Sequence, residues 1–321
     1  MQLILAPMQG LTEVMYRRVY SHCFPEAIDS AVSPFLSLTH GNLEAACKKI
    51  DDVLPEVNTG LMPVVPQILG RETDEFVALA NRLSDLGYTE VNWNIGCPVR
   101  RVAHKHRGSG ILPYPQEVAE ILESVLPRLK CRLSVKMRLG YADSEEIFRL
   151  IPILNQFPLA SVIVHPRTGL QQYGGSVDMD TFRRVVPLLL APVVYNGDIN
   201  SVAQYMSIRQ EFHKLQGIMI GRGIVRDPTL PLQIRAAEGT LPSHLSTDNL
   251  PQQRRDMQME LLTAIAESPI SMEAKTRKAK EYWCLTADGF GLDASQRRSV
   301  LLKRTFGEVC QTIDQLLQIA V

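Results

Sequence analysis

The chain has few cysteines, and their arrangement excludes several classes of protein. Its six cysteines are single residues spread along 321 positions, and none forms a Cys-x-x-Cys pair. Because no close set of cysteines and histidines has the spacing of a structural zinc site, we expect no metal. Scattered single cysteines fit a reducing compartment better than a disulfide-stapled secreted protein, so we expect a cytoplasmic location.

The sequence also lacks a membrane segment and an excess of charge of either sign. No uncharged apolar run is long enough to span a bilayer. The N-terminal residues have no charged region and reach Pro7 too early for a signal peptide. Since 34 basic residues balance 34 acidic ones, any binding of nucleic acid must rest on local patches. We expect a monomer with no membrane partner.

Short apolar runs alternate with amphipathic stretches over the first 240 residues, and Val, Ile and Leu fill these runs as in parallel strands buried on both faces. The predicted strands are Leu3–Met8, Ala27–Pro34, Pro63–Leu69, Glu90–Ile95, Arg132–Leu139, Ser161–His165, Pro192–Asn196 and Gly217–Ile220. The predicted helices are Thr73–Leu86, Pro115–Leu129, Ser144–Phe157, Met179–Leu190 and Ser201–Phe212, with a further one at Asn42–Ile50. This order predicts an α/β fold, a TIM (β/α)8 barrel. A doubly wound sheet is the alternative, but no Gly-x-Gly-x-x-Gly follows the first strand.

The alternation of strands and helices ends near Ala237. The polar segment 241–251 contains Pro and Ser and is typical of a linker. Residues 252–321 have helical periodicity and no strand. We therefore predict a barrel domain at 1–240, a linker at 241–251 and an all-helical C-terminal domain at 252–321.

Candidate site residues, most of them polar or glycine, lie at or just after the carboxyl end of almost every predicted strand. They are Pro7 and Met8, Gln67, Asn94 and Cys97, Lys136 and Arg138, His165 and Arg167, Asn196, Gly197 and Asp198, and Gly221, Arg222 and Gly223. Catalytic groups of TIM barrels lie at this end of the strands, and unpaired polar groups are costly to bury. The pattern therefore predicts an active site at the C-terminal mouth of the barrel.

Several of these residues suggest particular chemistry. The glycine turns after strands seven and eight lie where many TIM barrels bind phosphate, although tight turns that need glycine are the alternative. Lys136 interrupts an apolar strand and needs an anionic or polar partner, either as a Schiff-base lysine or beside an electron-rich ligand. Cys97 lies in a Gly-Cys-Pro turn near Asn94, which favours a reactive thiol over a structural one.

Two basic clusters suggest a surface for RNA. The first is the basic loop, which we define as residues 100–107 and which contains Arg100, Arg101 and Lys105. The second, the basic helix cluster, consists of Lys275, Arg277, Lys278 and Lys280, close to Tyr282 and Trp283. Basic clusters beside aromatic residues permit an RNA groove, whereas two solvated faces are the alternative.

Taken in order, the motifs resemble those of the dihydrouridine synthase family. The matching stretches are Leu5-Ala-Pro-Met-Gln-Gly10, Pro66-Gln-Ile-Leu-Gly70, Asn92-Trp-Asn-Ile-Gly-Cys-Pro98, Lys105 with Gly108-Ser-Gly-Ile-Leu112, Ser134-Val-Lys-Met-Arg-Leu-Gly140, Val164-His-Pro-Arg-Thr168, Tyr195-Asn-Gly-Asp-Ile199 and Met219-Ile-Gly-Arg-Gly223. The short length and Lys280-Glu-Tyr-Trp283 are similar to the bacterial subfamily that acts at tRNA position 16. Two positions depart from the family pattern: Pro166 replaces the usual glycine, and Gly110 replaces a common alanine.

The resemblance implies a cytoplasmic FMN-dependent enzyme that reduces the C5–C6 bond of uridine in tRNA to dihydrouridine with electrons from NADPH. It places the flavin at Pro7, Met8, Gln67, Lys136, His165, Asn196, Gly197, Asp198, Gly221 and Arg222, and the substrate uracil at Asn94, Arg138 and Tyr173. It makes Cys97 the proton donor to C5, while the basic loop and the basic helix cluster bind RNA. The alternatives are an rRNA dihydrouridine synthase, an FMN barrel acting on a small molecule, and a non-enzymatic RNA-binding relative.

Overall fold

The computed structural model describes residues 1–37 and 50–319. Its strands are β1 (Gln2–Leu5), β2 (Ser30–Val32), β3 (Leu36–Ser37), β4 (Val64–Val65), β5 (Gln67–Leu69), β6 (Glu90–Ile95), β7 (Arg132–Gly140), β8 (Val162–Thr168), β9 (Val193–Tyr195) and β10 (Gly217–Ile220). Its α-helices are α1 (Val14–Cys23), α2 (Pro55–Asn58), α3 (Thr73–Asp85), α4 (Arg100–Ala103), α5 (Pro115–Val125), α6 (Glu146–Leu154), α7 (Met179–Val185), α8 (Val202–Glu211), α9 (Arg222–Arg226), α10 (Leu230–Glu238), α11 (Leu250–Glu267), α12 (Met272–Thr286), α13 (Ala294–Leu301) and α14 (Phe306–Ile319). The helix predicted at Asn42–Ile50 lies outside the described residues except for Ile50, which begins a short 3-10 helix.

The strands form one parallel sheet that closes on itself. Their order is β3-β5-β6-β7-β8-β9-β10-β1-β2-β4. The two ends of this order are joined by the chain, because β2 and β3 belong to one barrel strand and β4 and β5 to the next. The predicted TIM barrel is therefore confirmed, and the doubly wound sheet is wrong.

The second and third barrel strands are interrupted where the sequence predicted continuous strands. Pro34 and Pro66 fall in the two gaps and have no backbone N–H to donate to a neighbouring strand. Ser33 bridges the gaps, since its N–H donates to the Val65 carbonyl at 3.0 Å and its hydroxyl accepts from the Gln67 N–H at 3.1 Å. The predicted bounds of β6 and β10 are confirmed, whereas β3 and α1 were not predicted.

Two of the four C-terminal helices pack directly on barrel helices, α11 on α1 and α12 on α9, and α13 and α14 pack on α11 and α12. The predicted all-helical C-terminal region is confirmed. Helix α11 begins at Leu250, two residues before the predicted start of the C-terminal domain, and Asn249 caps it by accepting from the Gln252 N–H. Buried side chains of these helices and of the barrel belong to one continuous core. The rings of Tyr16 on α1 and Tyr282 on α12 stack with centroids 6.0 Å apart. Among the described helices, none combines the length and the apolar character needed to cross a bilayer.

Candidate active site

A cavity of about 750 Å³ opens at the C-terminal mouth of the barrel. This volume lies within the range of small-molecule and cofactor sites. Its wall includes the predicted residues Pro7, Met8, Asn94, Cys97, Arg100, Arg101, Lys136, Arg138, His165, Tyr173, Asn196, Gly197, Asp198, Gly221 and Arg222. Apart from Gln67 and Arg167, the strand-end positions chosen from the sequence are therefore brought together around one cavity.

Cys97 is held in the wall of this cavity by its own backbone contacts. The Asn94 side-chain oxygen accepts from the N–H groups of Gly96 at 3.1 Å and Cys97 at 2.9 Å, as in an Asx turn. The Cys97 carbonyl accepts from both the N–H of Ser109 at 2.9 Å and its hydroxyl at 3.0 Å. A Cβ on Gly108, whose φ is +55°, would lie 2.6 Å from that carbonyl oxygen, so glycine allows the loop to reach the cysteine.

A chain of buried polar side chains crosses the barrel interior behind Cys97. Asn94 Nδ2 donates to Gln67 Oε1 at 2.7 Å, and Gln67 Nε2 donates to Asn92 Oδ1 at 2.8 Å. Asn92 Nδ2 then donates to Ser134 Oγ at 2.9 Å. Gln67 is fully buried and lies behind Asn94 rather than in the cavity wall, so here it orients Asn94 and does not face a ligand. Through this chain, three adjacent strands fix the turn that carries Cys97.

Lys136 and Cys97 share the cavity, and burial shifts both side chains toward their neutral forms. Burial, assisted by the nearby charge of Arg138, lowers the pKa of Lys136 to about 7. Burial raises the pKa of the Cys97 thiol, although a backbone hydrogen bond and the charges of Arg138, Lys136 and Arg101 oppose it. Within the described parts of the chain, no carboxylate forms an ion pair with Lys136. The cavity therefore holds a protonated thiol beside a lysine that is only partly charged at neutral pH and has no carboxylate counterion among the described residues.

His165 is neutral and its tautomer is set by a neighbouring arginine. Burial first, and then the charges of Arg138, Lys136, Arg167 and Arg222, keep its pKa well below the usual value. Arg167 Nη1 lies 3.1 Å from His165 Nε2. Because a guanidinium only donates, Nε2 is the acceptor and Nδ1 carries the proton.

Arg167 is buried and also organises the opposite wall of the cavity. It donates to the Gly174 and Gly175 carbonyls at 3.2 and 2.7 Å and forms an ion pair with Asp198. Arg222 pairs with the same carboxylate at 2.6 Å. Burial acts to raise the pKa of Asp198, but the two arginines outweigh it and lower the value. Asp198 thus remains ionised and ties the turn after β9 to the turn after β10.

Arg138 and Tyr173 form one side of the mouth. Arg138 is 2 % exposed, and its guanidinium donates to the carbonyls of Gly96, Thr168 and Gln172 at 3.0, 2.8 and 2.6 Å. Tyr173 is 57 % exposed, and the guanidinium carbons of Arg138 and Arg222 lie over its ring, 5.4 and 5.1 Å from the centroid. The aromatic ring is therefore positioned at the entrance by two cations.

The two departures from the family pattern have structural explanations. Between the pairs Arg138–His165 and Gly140–Thr168, the single residue Leu139 of β7 lies opposite Pro166 and Arg167 of β8, which places Pro166 in a β-bulge. A bulge tolerates proline because one residue there is left without ladder pairing. A Cβ on Gly110 would overlap the Ala103 carbonyl at the end of α4, so this chain requires glycine there.

The two basic clusters differ in their availability. In the basic loop, Arg100, Arg101 and Lys105 are exposed, while Arg107 is paired with Glu72. In the basic helix cluster, Lys275 donates to the Ala266 carbonyl, Lys280 to the Lys303 carbonyl, and Lys278 to both Glu13 and the Gly10 carbonyl. Arg277 is exposed. Most cations of the basic helix cluster therefore bond to other parts of the protein, whereas those of the basic loop are more exposed.

Some residues of the cavity escaped the sequence analysis. They are Gln9, Leu11, Phe35, Gln172, Asn200 and Leu285. Leu285 belongs to α12, and no local signal in the sequence relates that helix to the mouth. Arg167 was noticed only as a strand-end residue, although its place two positions after His165 in a buried strand was a usable signal.

Comparison with known proteins gives one consistent result. A family model described as "Dihydrouridine synthase (Dus)" matches residues 4–282. A tRNA-dihydrouridine(16) synthase of Neisseria meningitidis serogroup B is 30% identical over 249 residues, which cover 75% of this chain and 73% of that protein. One from Ralstonia nicotianae is 29% identical over 249 residues, covering 75% of each chain, and tRNA-dihydrouridine synthase B of Pasteurella multocida is 28% identical over 230 residues, covering 71% and 67%. Among solved structures, morphinone reductase aligns over 74% of this chain and 86% of its own with a TM-score of 0.51 and 12% identity, which is a likeness of fold alone.

Proposed function

Because this chain belongs to the dihydrouridine synthase family, a family of flavin-dependent oxidoreductases, we propose that it reduces uridine to dihydrouridine in tRNA, with FMN as cofactor and NADPH as electron donor. The match spans 279 of 321 residues, which makes the chain an enzyme of this family. Relatives named for position 16 support that uridine as the target.

The observation that carries the proposal is the pairing of Cys97 with Lys136 in one cavity. Lys136 is a half-buried cation that faces the cavity without a carboxylate partner among the described residues. Such a cation is stabilised by an electron-rich ligand, and the edge of a flavin ring system is one. The residues present therefore fit FMN.

The remaining flavin contacts follow from the two glycine turns. Gly197 and Gly221 border the cavity, and Arg222 adds a cation that can bind a phosphate. Asn196 donates its side-chain amide to the Met219 carbonyl at 2.9 Å, which holds one turn against the next strand. Neutral His165 completes this wall. When bound, the flavin supplies a hydride to C6 of the uracil.

Cys97 then completes the reduction by giving its proton to C5. The S–H bond breaks as the C5–H bond forms, and the sulfur keeps the electron pair. Burial keeps the thiol protonated beforehand, whereas Arg138 and Lys136 stabilise the thiolate that remains. Asn94 and Ser109 hold the cysteine during this transfer.

Tyr173 and the basic loop are proposed to position the RNA. A uridine inside folded RNA must be extruded before a buried thiol can reach it. Exposed Tyr173 at the entrance offers a stacking surface for an extruded base, and Arg100 and Arg101 line the same mouth.

The test is to map dihydrouridine in RNA from a strain that lacks this protein and from the same strain carrying a plasmid copy. We expect dihydrouridine to disappear from position 16 of tRNA and to return with the wild-type copy. Loss at another tRNA position would correct the position, and loss only in rRNA would replace the substrate. An unchanged map would contradict the proposal.

A further inference from the structure

Three side chains of metal-binding type meet where α1 of the barrel packs on α11 of the C-terminal region. His22 and Cys23 are the last two residues of α1, and Glu260 lies in α11. His22 Nδ1 is 2.7 Å from Glu260 Oε1, and Cys23 Sγ is 3.2 Å from Glu260 Oε2. One ligand atom from each residue lies within 4.8 Å of the other two. The mouth cavity is at the opposite end of α1.

These distances are close to those of a coordinated ion. Zinc binds cysteine sulfur at about 2.3 Å and histidine nitrogen or carboxylate oxygen at about 2.0–2.2 Å. Ligand atoms around one ion are therefore separated by about 3–4 Å, as a tetrahedral arrangement requires. In the present hydrogen-bonded arrangement, Glu260 lies 2.7 Å from His22 and 3.2 Å from Cys23, so the three side chains already face a common point.

The charge around the cluster favours a cation. The negative charges of Glu260 and Asp256, one helical turn apart on α11, both act on Cys23. Among the described residues, neither carboxylate has an ion pair with lysine or arginine, and Asp256 accepts only from Gln252 Nε2 at 2.7 Å. The carbonyl end of α1 adds the negative end of a helix dipole. Three sources of negative potential thus converge at a point that lacks a fixed cation.

We propose that His22, Cys23 and Glu260 bind a divalent transition-metal ion, Zn²⁺ above all, with Asp256 or water as the fourth ligand. A thiolate combined with an imidazole selects zinc over magnesium or calcium. Because the ligands come from a barrel helix and from a tail helix, the ion would staple the C-terminal helices to the barrel. Sequence spacing does not reveal this set, because Glu260 is 237 residues away from Cys23.

The first test is cobalt binding to the full chain after treatment with a chelator. Co²⁺ should saturate at one ion per chain and give a thiolate-to-cobalt charge-transfer band in the difference spectrum. Zn²⁺ should remove that band by competition. The absence of this band in the wild-type protein would overturn the proposal, and this test needs no variant.

The second test assigns the ligands by calorimetric titration with Zn²⁺. Cys23→Ser, His22→Ala and Glu260→Gln should each weaken zinc binding by roughly a hundredfold or more, since even outer ligands change affinity by 10–100-fold. Cys310→Ser, a half-buried cysteine on α14, is the matched control and should bind as the wild type does. Zinc should raise the melting temperature of the wild type and of Cys310→Ser but not of Cys23→Ser. Equal zinc affinity in the wild type and Cys23→Ser would overturn the assignment.

Discussion

Lys136 and Cys97, which line the same cavity, have pKa values that are shifted in opposite directions. Burial is the largest influence on both, and it lowers the pKa of the lysine while it raises that of the thiol. The Cys97 thiol is thereby kept protonated, and the charge of Lys136 becomes sensitive to the ligand that binds beside it. Both effects depend on the dry wall of the barrel rather than on any one neighbour.

The lowered pKa of Lys136 predicts a dependence of stability on pH in the flavin-free protein. Its pKa is about 7 in the folded chain and about 10.4 when unfolded, so between these values unfolding takes up a proton. The free energy of unfolding should therefore rise with pH from about 7 upward, by on the order of 1 kcal/mol per pH unit at most.

Denaturant unfolding of the wild type and Lys136→Met at pH 7 and pH 9 measures this contribution. The variant should show a smaller rise, because methionine has a similar length and does not titrate. The same rise in both proteins would show that the ammonium is not disfavoured by the fold.

The sequence predicted the residues that line the cavity better than it predicted their roles. Strand ends of a TIM barrel converge by symmetry, so placing Asn94, Lys136 and Asp198 at one mouth required only the strand pattern. Gln67 was predicted at the same mouth, yet it is the first residue of β5 and lies behind Asn94, whose side-chain amide donates to it. Local strand geometry decides whether a side chain at a strand end faces the cavity. The hydrophobic pattern of the sequence does not predict that geometry.

At the scale of elements, the short helix α4 and the loop after it determine where Cys97 lies. A Cβ on Gly108 would lie 2.6 Å from the Cys97 carbonyl oxygen, and a Cβ on Gly110 would overlap the Ala103 carbonyl. The loop is therefore clamped between the cysteine turn and α4.

Gly110→Ala should disturb this clamp even though alanine is common at this place in the family. We expect a loss of roughly 1–3 kcal/mol in the free energy of unfolding, as for other overpacked sites. Denaturant unfolding measures it, and Gly307→Ala in α14 is the control, because a Cβ there has nothing within 4 Å. Since alanine favours helices over glycine, Gly307→Ala should equal or exceed the wild type. A Gly110→Ala protein as stable as the control would contradict the packing around α4.

At the scale of the whole molecule, the C-terminal helices complete the mouth as well as the core. Lys278 pairs with Glu13 at 2.5 Å, the Tyr282 hydroxyl donates to the Leu11 carbonyl at 2.5 Å, and Leu285 enters the cavity wall. Contacts between residues more than 260 positions apart leave no periodic trace in a single sequence, so only the presence of the helical tail could be predicted. The proposed division at 1–240, 241–251 and 252–321 stays a prediction.

The exposed cations of the basic loop should carry more of the RNA affinity than the basic helix cluster. Arg100, Arg101 and Lys105 changed together to alanine should reduce the slope of log affinity against log salt by roughly 2–3, if each contacts a phosphate. Lys130, Arg132 and Lys214 changed to alanine are the charge-matched control, because they lie at or just before the amino-terminal ends of β7 and β10, at the opposite end of the barrel. Filter binding of tRNA at several salt concentrations gives both slopes. Equal slopes for the two triple variants would show that the basic loop is only a solvated face.

The two half-reactions of Cys97→Ala test the central claim most directly. Flavin reduction by NADPH should proceed at the wild-type rate, because the proton donor acts only after hydride reaches the uracil. Dihydrouridine formation in tRNA should fall by roughly a hundredfold or more, as for loss of a positioned general acid. Cys131→Ala, a half-buried cysteine beside β7, should behave as the wild type in both steps. Near-normal dihydrouridine formation by Cys97→Ala would contradict the account, because the proton would then come from elsewhere.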